Sequence, residues 1–334
     1  MGIDVAQRGL GSQRPPTFTV ARATALAVIV VLATAVWLIA ADGPQAWAQS
    51  SVNGLVSGSY YALGAVGLTL VYGILRLVNF AHGDMLTLGA YVAVGLTTGL
   101  GTPYPVGVAG GVLATAAVGL FLEQRLFRPM RTRRAGTLQL ILITIGLAFL
   151  IRNAIQFAVG SSPRAVAVDV TSTIEIAGIR IGTTEAIVVV VGLAAIAAVA
   201  ALLRWTTLGK QMRALADDLQ LAEATGIDTD RIITCTWLLA GGLAGLAGGL
   251  LAAAAGAITP VTGSFILLNL FAAVILGGIG DPRGALLGGL ALGVVQEWST
   301  LELGSRWKLA VGFALLILVL VARPQGILGK ARTI

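Results

Sequence analysis

The chain has 334 residues, 57% of them hydrophobic and 11% charged, with a net charge of +7. Soluble domains carry roughly 25% charged residues, so this composition, with a mean hydropathy of +0.91, excludes a soluble globular protein and describes an all-α polytopic transmembrane bundle. The basic excess does not signal nucleic acid, because Lys and Arg lie in short connections between apolar runs, where such residues orient helices toward the cytoplasmic leaflet.

A membrane span takes about 20 apolar residues. Runs of that kind fall at 23–41, 52–75, 84–100, 105–122, 138–157, 186–203, 232–255, 264–279, 284–299 and 309–322, which predicts eight to ten spans. Residues 1–48 form a tail with a first span or a signal-like segment. Arginines, an apolar stretch and Ala46-Trp-Ala48 resemble a cleavable leader, but the apolar stretch exceeds the roughly 7–15 residues usual in one, which favours a retained span. Residues 49–334 form the transmembrane domain proper.

Following the second run comes a polar cluster, Arg76-Leu-Val-Asn79-Phe-Ala-His82-Gly-Asp84. Polar groups are costly in a bilayer and mark functional positions there. Asn79, His82 and Asp84 are therefore candidates for the translocation path, either in a break between half-spans or in a tight turn whose His and Asp bond free backbone groups. The next basic connection, Arg125 to Arg134, and the alternating segments Val166–Val170 and Ile174–Ile181 fall on opposite sides if the ten runs each cross once. The latter pair reads as a small extracytoplasmic hairpin.

Residues 211–225 read as an amphipathic helix with Leu215, Leu219 and Ala222 on one face and Asp217, Asp218 and Glu223 elsewhere. Gly226 closes it in a left-handed cap, and Thr229 is placed to cap the following span. Such a segment is either a solvated loop helix or a docking helix for a soluble partner. Beyond it, Gly241-x-x-x-Gly245-x-x-x-Gly249, Gly284-x-x-x-Gly288 and Gly289-x-x-x-Gly293, like Gly54-x-x-x-Gly58 earlier, set small residues on single helix faces, where backbones approach closely. The runs 264–279 and 284–299 are short enough to form a re-entrant hairpin. The order run, Gly/Asp break, small-residue helix at 66–95 recurs at 272–293, and interrupted segments at matching places point to a transport path. Glu297, near the end of a span, is a further pathway candidate.

Enzymatic signatures are missing from the sequence. No Gly-x-x-x-x-Gly-Lys-Ser/Thr, Gly-x-Ser-x-Gly or His-Glu-x-x-His pattern occurs, so the chain has no P-loop of its own and an enzyme is not expected. One cysteine and one histidine offer no metal-ligand set, and no cofactor is expected.

Six stretches together carry a family resemblance: Asn53–Leu63, Val71–Asp84, Leu126–Arg131, Met212–Arg231, Ala273–Gly280 and Arg323–Gly329. Across about residues 50–330 the chain resembles membrane permease subunits of ATP-binding-cassette importers, in the branched-chain amino acid subfamily. The resemblance implies an inner-membrane subunit moving hydrophobic amino acids, with a second permease, two cytoplasmic ATP-binding subunits and an extracytoplasmic binding protein. It implies that Arg213, Asp217, Asp218, Ala222, Glu223 and Gly226 belong to the coupling helix, although the Leu-Pro that follows this loop in other importers is missing. A permease for urea or short-chain amides is the alternative within the class. A self-sufficient secondary transporter or channel is the alternative outside it, and would need mid-span carboxylates.

Overall fold

The computed structural model describes residues 33–328 apart from positions 35, 170, 177 and 324. Most of the run at 23–41 lies outside the described residues. The described chain is helical almost throughout. After a helical stretch at 36–42, its helices are α1 (Pro44–Leu75), α2 (His82–Leu100), α3 (Tyr104–Thr132), α4 (Thr137–Val159), α5 (Thr183–Trp205), α6 (Thr207–Asp217), α7 (Leu219–Ala224), α8 (Thr229–Ala255), α9 (Thr262–Gly277), α10 (Pro282–Leu303) and α11 (Lys308–Ala322).

Contacts between connections sort the chain into two ends. Arg76 reaches Ala216, Arg128 reaches Asp230, and Ile327 bonds to Leu276. These define one end, rich in arginine from residues 76, 125–134, 204–213, 231 and 323. At the opposite end Gln49 bonds to Arg180, Trp298 to Ser51 and Tyr104 to Gly249. Among the described residues, nine helices run between these ends or part of the way. By length and apolarity α1, α3, α4, α5 and α8 each suffice to cross a membrane, and the pair α9–α10, bent by 120°, makes a sixth. That is fewer than the eight to ten apolar runs: most of the run at 23–41 lies outside the described residues, and the runs at 264–279 and 284–299 count as one bent pair. Helix α2 is diluted by His82, Asp84 and three threonines, and α11 has only 15 residues.

Small residues bring the central helices together. A Cβ at Gly54, Gly58 or Gly293 would strike backbone across the α1–α10 contact, and one at Gly241 or Gly245 would strike α3. The expected glycine faces are thus packing faces. Helix α1 lies at the centre, while α4 and α5 lie at the periphery with few buried residues. Helix α3 continues past 122 through a π-helical turn, Glu123–Phe127, which stacks Phe127 on Trp237 at 4.7 Å.

The hairpin is found with different bounds. Thr173–Ile176 (β2) pairs antiparallel with Ile179–Gly182 (β3). Residues 166–169 do not join it. Instead Arg164–Ala165 (β1) pairs with Ala257–Ile258 (β4), tying this loop to the end of α8.

Candidate functional site

The polar cluster lies inside the bundle. Helix α1 ends at Leu75, and Arg76 turns the chain in a left-handed conformation, φ 53° and ψ 26°, at a cost of roughly 1–2 kcal/mol for a residue with a Cβ. Residues 76–81 then climb back as irregular chain. His82 starts α2 with its Nε2 3.0 Å from the Gly64 carbonyl. Gly64 lies 11 residues before Leu75, about 16 Å along the helix axis at 1.5 Å per residue. Non-helical backbone at such depth is tolerated only when protein buries it or it lines an aqueous cavity.

The hydrogen bonds of this segment are met partly within it and partly by groups far away in sequence. Asn79 Oδ1 accepts from the Ala81 amide at 3.1 Å, and the Asn79 carbonyl accepts from the His82 amide at 3.2 Å. Thr144 of α4 donates to the Val78 carbonyl at 3.2 Å. The Gly263 amide, in the first turn of α9, donates to Thr87 Oγ1 at 2.8 Å. Because a carbonyl can only accept, His82 Nε2 carries the proton. Asn79 Nδ2 is buried without a partner among the described residues.

Asp84 is wholly buried, and among the described residues its carboxylate does not bond to backbone, as a simple turn would require. Arg152 of α4 grips it with two bonds, Nε to Oδ1 at 3.0 Å and Nη2 to Oδ2 at 3.1 Å. Arg152 was not among the expected site residues. The signal for it was present, since an arginine inside an apolar run needs a partner.

Asn79, His82 and Asp84 are brought together; Glu297 is not. It lies on α10 level with Ser57, toward the opposite end, accepting from Ser57 Oγ at 3.1 Å and Lys308 Nζ at 2.6 Å. Beside it runs a buried chain of amides that sequence reading missed. Gln296 Nε2 donates to Asn269 Oδ1 at 3.0 Å, and Asn269 Nδ2 donates to Tyr61 Oη at 3.2 Å. Near this end a cavity of about 280 Å³ is lined by Gln49, Asn53, Arg180 and Glu185 among others.

At the basic end, residues 207–226 form two helices rather than one. Asp218 leaves the helical region, φ −152° and ψ 109°, and its Oδ1 accepts from the amides of Gln220 and Leu221 at 2.9 and 3.0 Å. It ends α6 and caps α7. The break turns Leu219 outward, to 38% exposure, while Met212, Leu215 and Ala222 stay buried. Gly226 has φ +85°, as expected of a left-handed cap. The amide of Gly226 bonds to the Glu223 carbonyl and that of Ile227 to Ala222, the paired bonds of a Schellman motif. The cap of α8 is Asp228, accepting from the Arg231 amide at 3.0 Å, not Thr229. Arg213 turns back to the Leu203 carbonyl at the end of α5. The outward surface is therefore Asp217, Asp218, Leu219, Leu221 and Glu223, acids interleaved with two leucines.

A tightly packed bundle with irregular chain buried at depth and an amphipathic segment held outside it is the build of a multi-pass membrane transport subunit. Comparison with known proteins specifies which. The family model described as "Branched-chain amino acid transport system / permease component" matches residues 50–320. The high-affinity branched-chain amino acid transport system permease protein LivH of Salmonella typhimurium is 36% identical over 297 residues, covering 84% of this chain and 95% of its own. BraD of Pseudomonas aeruginosa, a permease protein of the same description, is 34% identical over 296 residues, with the same coverage. A probable permease of this kind from Methanocaldococcus jannaschii is 30% identical over 293 residues, covering 82% and 90%. The chain belongs to the branched-chain amino acid transport permease family, and is a permease subunit of an ATP-binding-cassette importer.

Proposed function

We propose that this subunit carries branched-chain amino acids inward across the membrane, powered by ATP-binding subunits that seat on residues 207–226. The observation that carries the reading is the outward face of α6–α7. Its underside, Met212, Leu215 and Ala222, is buried in the bundle. Its top presents Asp217, Glu223 and Leu221 with no hydrogen bond or ion pair from the described residues to the two carboxylates. A surface anchored below, with acids unpaired within the described chain and an exposed leucine above, suits a groove on a soluble partner. The arginine-rich end is the cytoplasmic one by the positive-inside rule, which sets this face where ATP-binding subunits work.

The partners are two such subunits, a second permease chain and an extracytoplasmic binding protein delivering substrate to the opposite end, where the cavity beside Asn53 and Arg180 opens. The pathway passes residues 76–81, the re-entrant segment that climbs back from the end of α1 to the start of α2. Asn79, whose buried amide nitrogen has no partner among the described residues, is assigned to the pathway, and His82 and Asp84 hold the segment's shape. Glu297 serves the opposite mouth. Hydrolysis takes place on the partner subunits, and this chain performs no chemistry.

Reconstitution of the full importer in liposomes tests this. Leucine uptake should require ATP and the binding protein. Gly226→Pro, which forces a φ of +85° toward the −65° that proline allows, should abolish uptake while membrane insertion stays normal. Uptake by the isolated subunit under an ion gradient, or preference for urea over leucine, would overturn the reading.

A further inference from the structure

One guanidinium at the basic end lies at the meeting point of three elements. Arg76 Nη2 donates to the Ala216 carbonyl at 3.1 Å, one of the last carbonyls of α6, which lack intrahelical donors. A cation there also complements the negative end of the helix. Its Nη1 lies 3.8 Å from where a Cβ on Gly280 would stand, so it borders the break between α9 and α10. A Cβ on Gly73 would lie 3.4 Å from the Gly280 carbonyl, so the end of α1 and that break adjoin. The backbone of Arg76 is itself the root of the re-entrant segment carrying Asn79 and His82.

Both interrupted places in the bundle thus share one neighbour, and that neighbour holds the helix leading to the docking face. The left-handed turn alone would be met with less strain by glycine. The side chain has a separate task. We propose that Arg76 is a positioning residue that transmits displacement of α6 to the re-entrant segment and to the α9–α10 break, opening and closing the pathway at its cytoplasmic end. The proposal rests on the reading of 207–226 as the ATPase docking segment.

The test uses the complete importer in liposomes, with radiolabelled leucine as probe and three chains: parent, Arg76→Gly and Arg76→Lys. Glycine keeps the turn and removes the guanidinium; lysine keeps a cation able to reach a carbonyl. Arg76→Gly should still co-purify with the ATP-binding subunits and hydrolyse ATP at the basal rate. Its leucine transported per ATP should fall about tenfold, within the range of typical allosteric couplings, and Arg76→Lys should restore most of it. An unchanged ratio in Arg76→Gly, or loss of co-purification, would overturn the proposal. A parallel cross-link from Asp217→Cys to the ATP-binding subunit separates the two readings. Without the cross-link the docking assignment fails; with it and an unchanged ratio, only the role of Arg76 fails.

Discussion

Asp84 and Arg152 bring two full charges into an apolar bundle, and their value to the protein lies in being together. A buried pair is weak evidence of added stability, but removing one partner strands the other at a cost of about 3–5 kcal/mol. Arg152→Ala should therefore lower the stability of the detergent-solubilised subunit by about that much, and adding Asp84→Asn to it should recover a large part. Thermal unfolding of the two variants measures this. Equal stability of Arg152→Ala and the parent would mean that water already reaches Asp84. The polar cluster around Asp84 was legible because polarity stands out in a chain that is 11% charged. That Arg152 needs a partner was also readable, but its pairing with Asp84 was not, because the two residues are 68 apart and sequence spacing says nothing about which peripheral helix packs where. Glu297 and Lys308 were closer in sequence, yet the intervening turn at Gly304 hid their pairing.

At the level of the element, the docking segment turned on a single residue. An uninterrupted helix over 211–225 requires Asp218 to be helical, but aspartate competes for backbone amides and favours capping positions. Here the cap prevails, and the break rotates Leu219 out of the buried face. Gly226 was readable for the opposite reason, since a glycine after the last periodic residue has one common role. The two effects of Asp218, cap and charge, separate by substitution. Asparagine caps as well as aspartate, whereas alanine loses about 1 kcal/mol of helix stability. Asp218→Asn should keep most leucine uptake, with Asp217 and Glu223 still supplying negative charge, and Asp218→Ala should lose it severalfold. Equal loss in both variants would assign Asp218 to direct electrostatic contact with the partner instead. The helix runs themselves were found with shifted ends: α1 starts at Pro44, ahead of the apolar run that begins at 52, and α3 runs on to Thr132. Apolarity locates the buried part of a helix, not the point where its backbone stops.

For the molecule as a whole, composition alone identified a membrane bundle, and arginine placement sorted its connections onto two ends that the contacts bear out. Depth was not legible. Apolar runs give no sign that α2 begins well inside, beside Gly64, rather than at the surface. That burial has a consequence for biogenesis. The carbonyl of Val78, the carboxylate of Asp84 and the hydroxyl of Thr87 are matched by residues 66, 68 and 176 positions later in the chain. A ribosome delivers the stretch around 76–87 to the translocon long before its partners exist, and lipid supplies no substitute bonds in the meantime. The segment must wait in water or against the insertion machinery until Arg152 and then Gly263 emerge. Nascent chains halted near residue 140 should therefore leave residues 76–84 open to protease from the cytoplasmic face, and chains extended past 300 should protect them. Protection already complete at the shorter length would mean that the early helices seat this loop unaided.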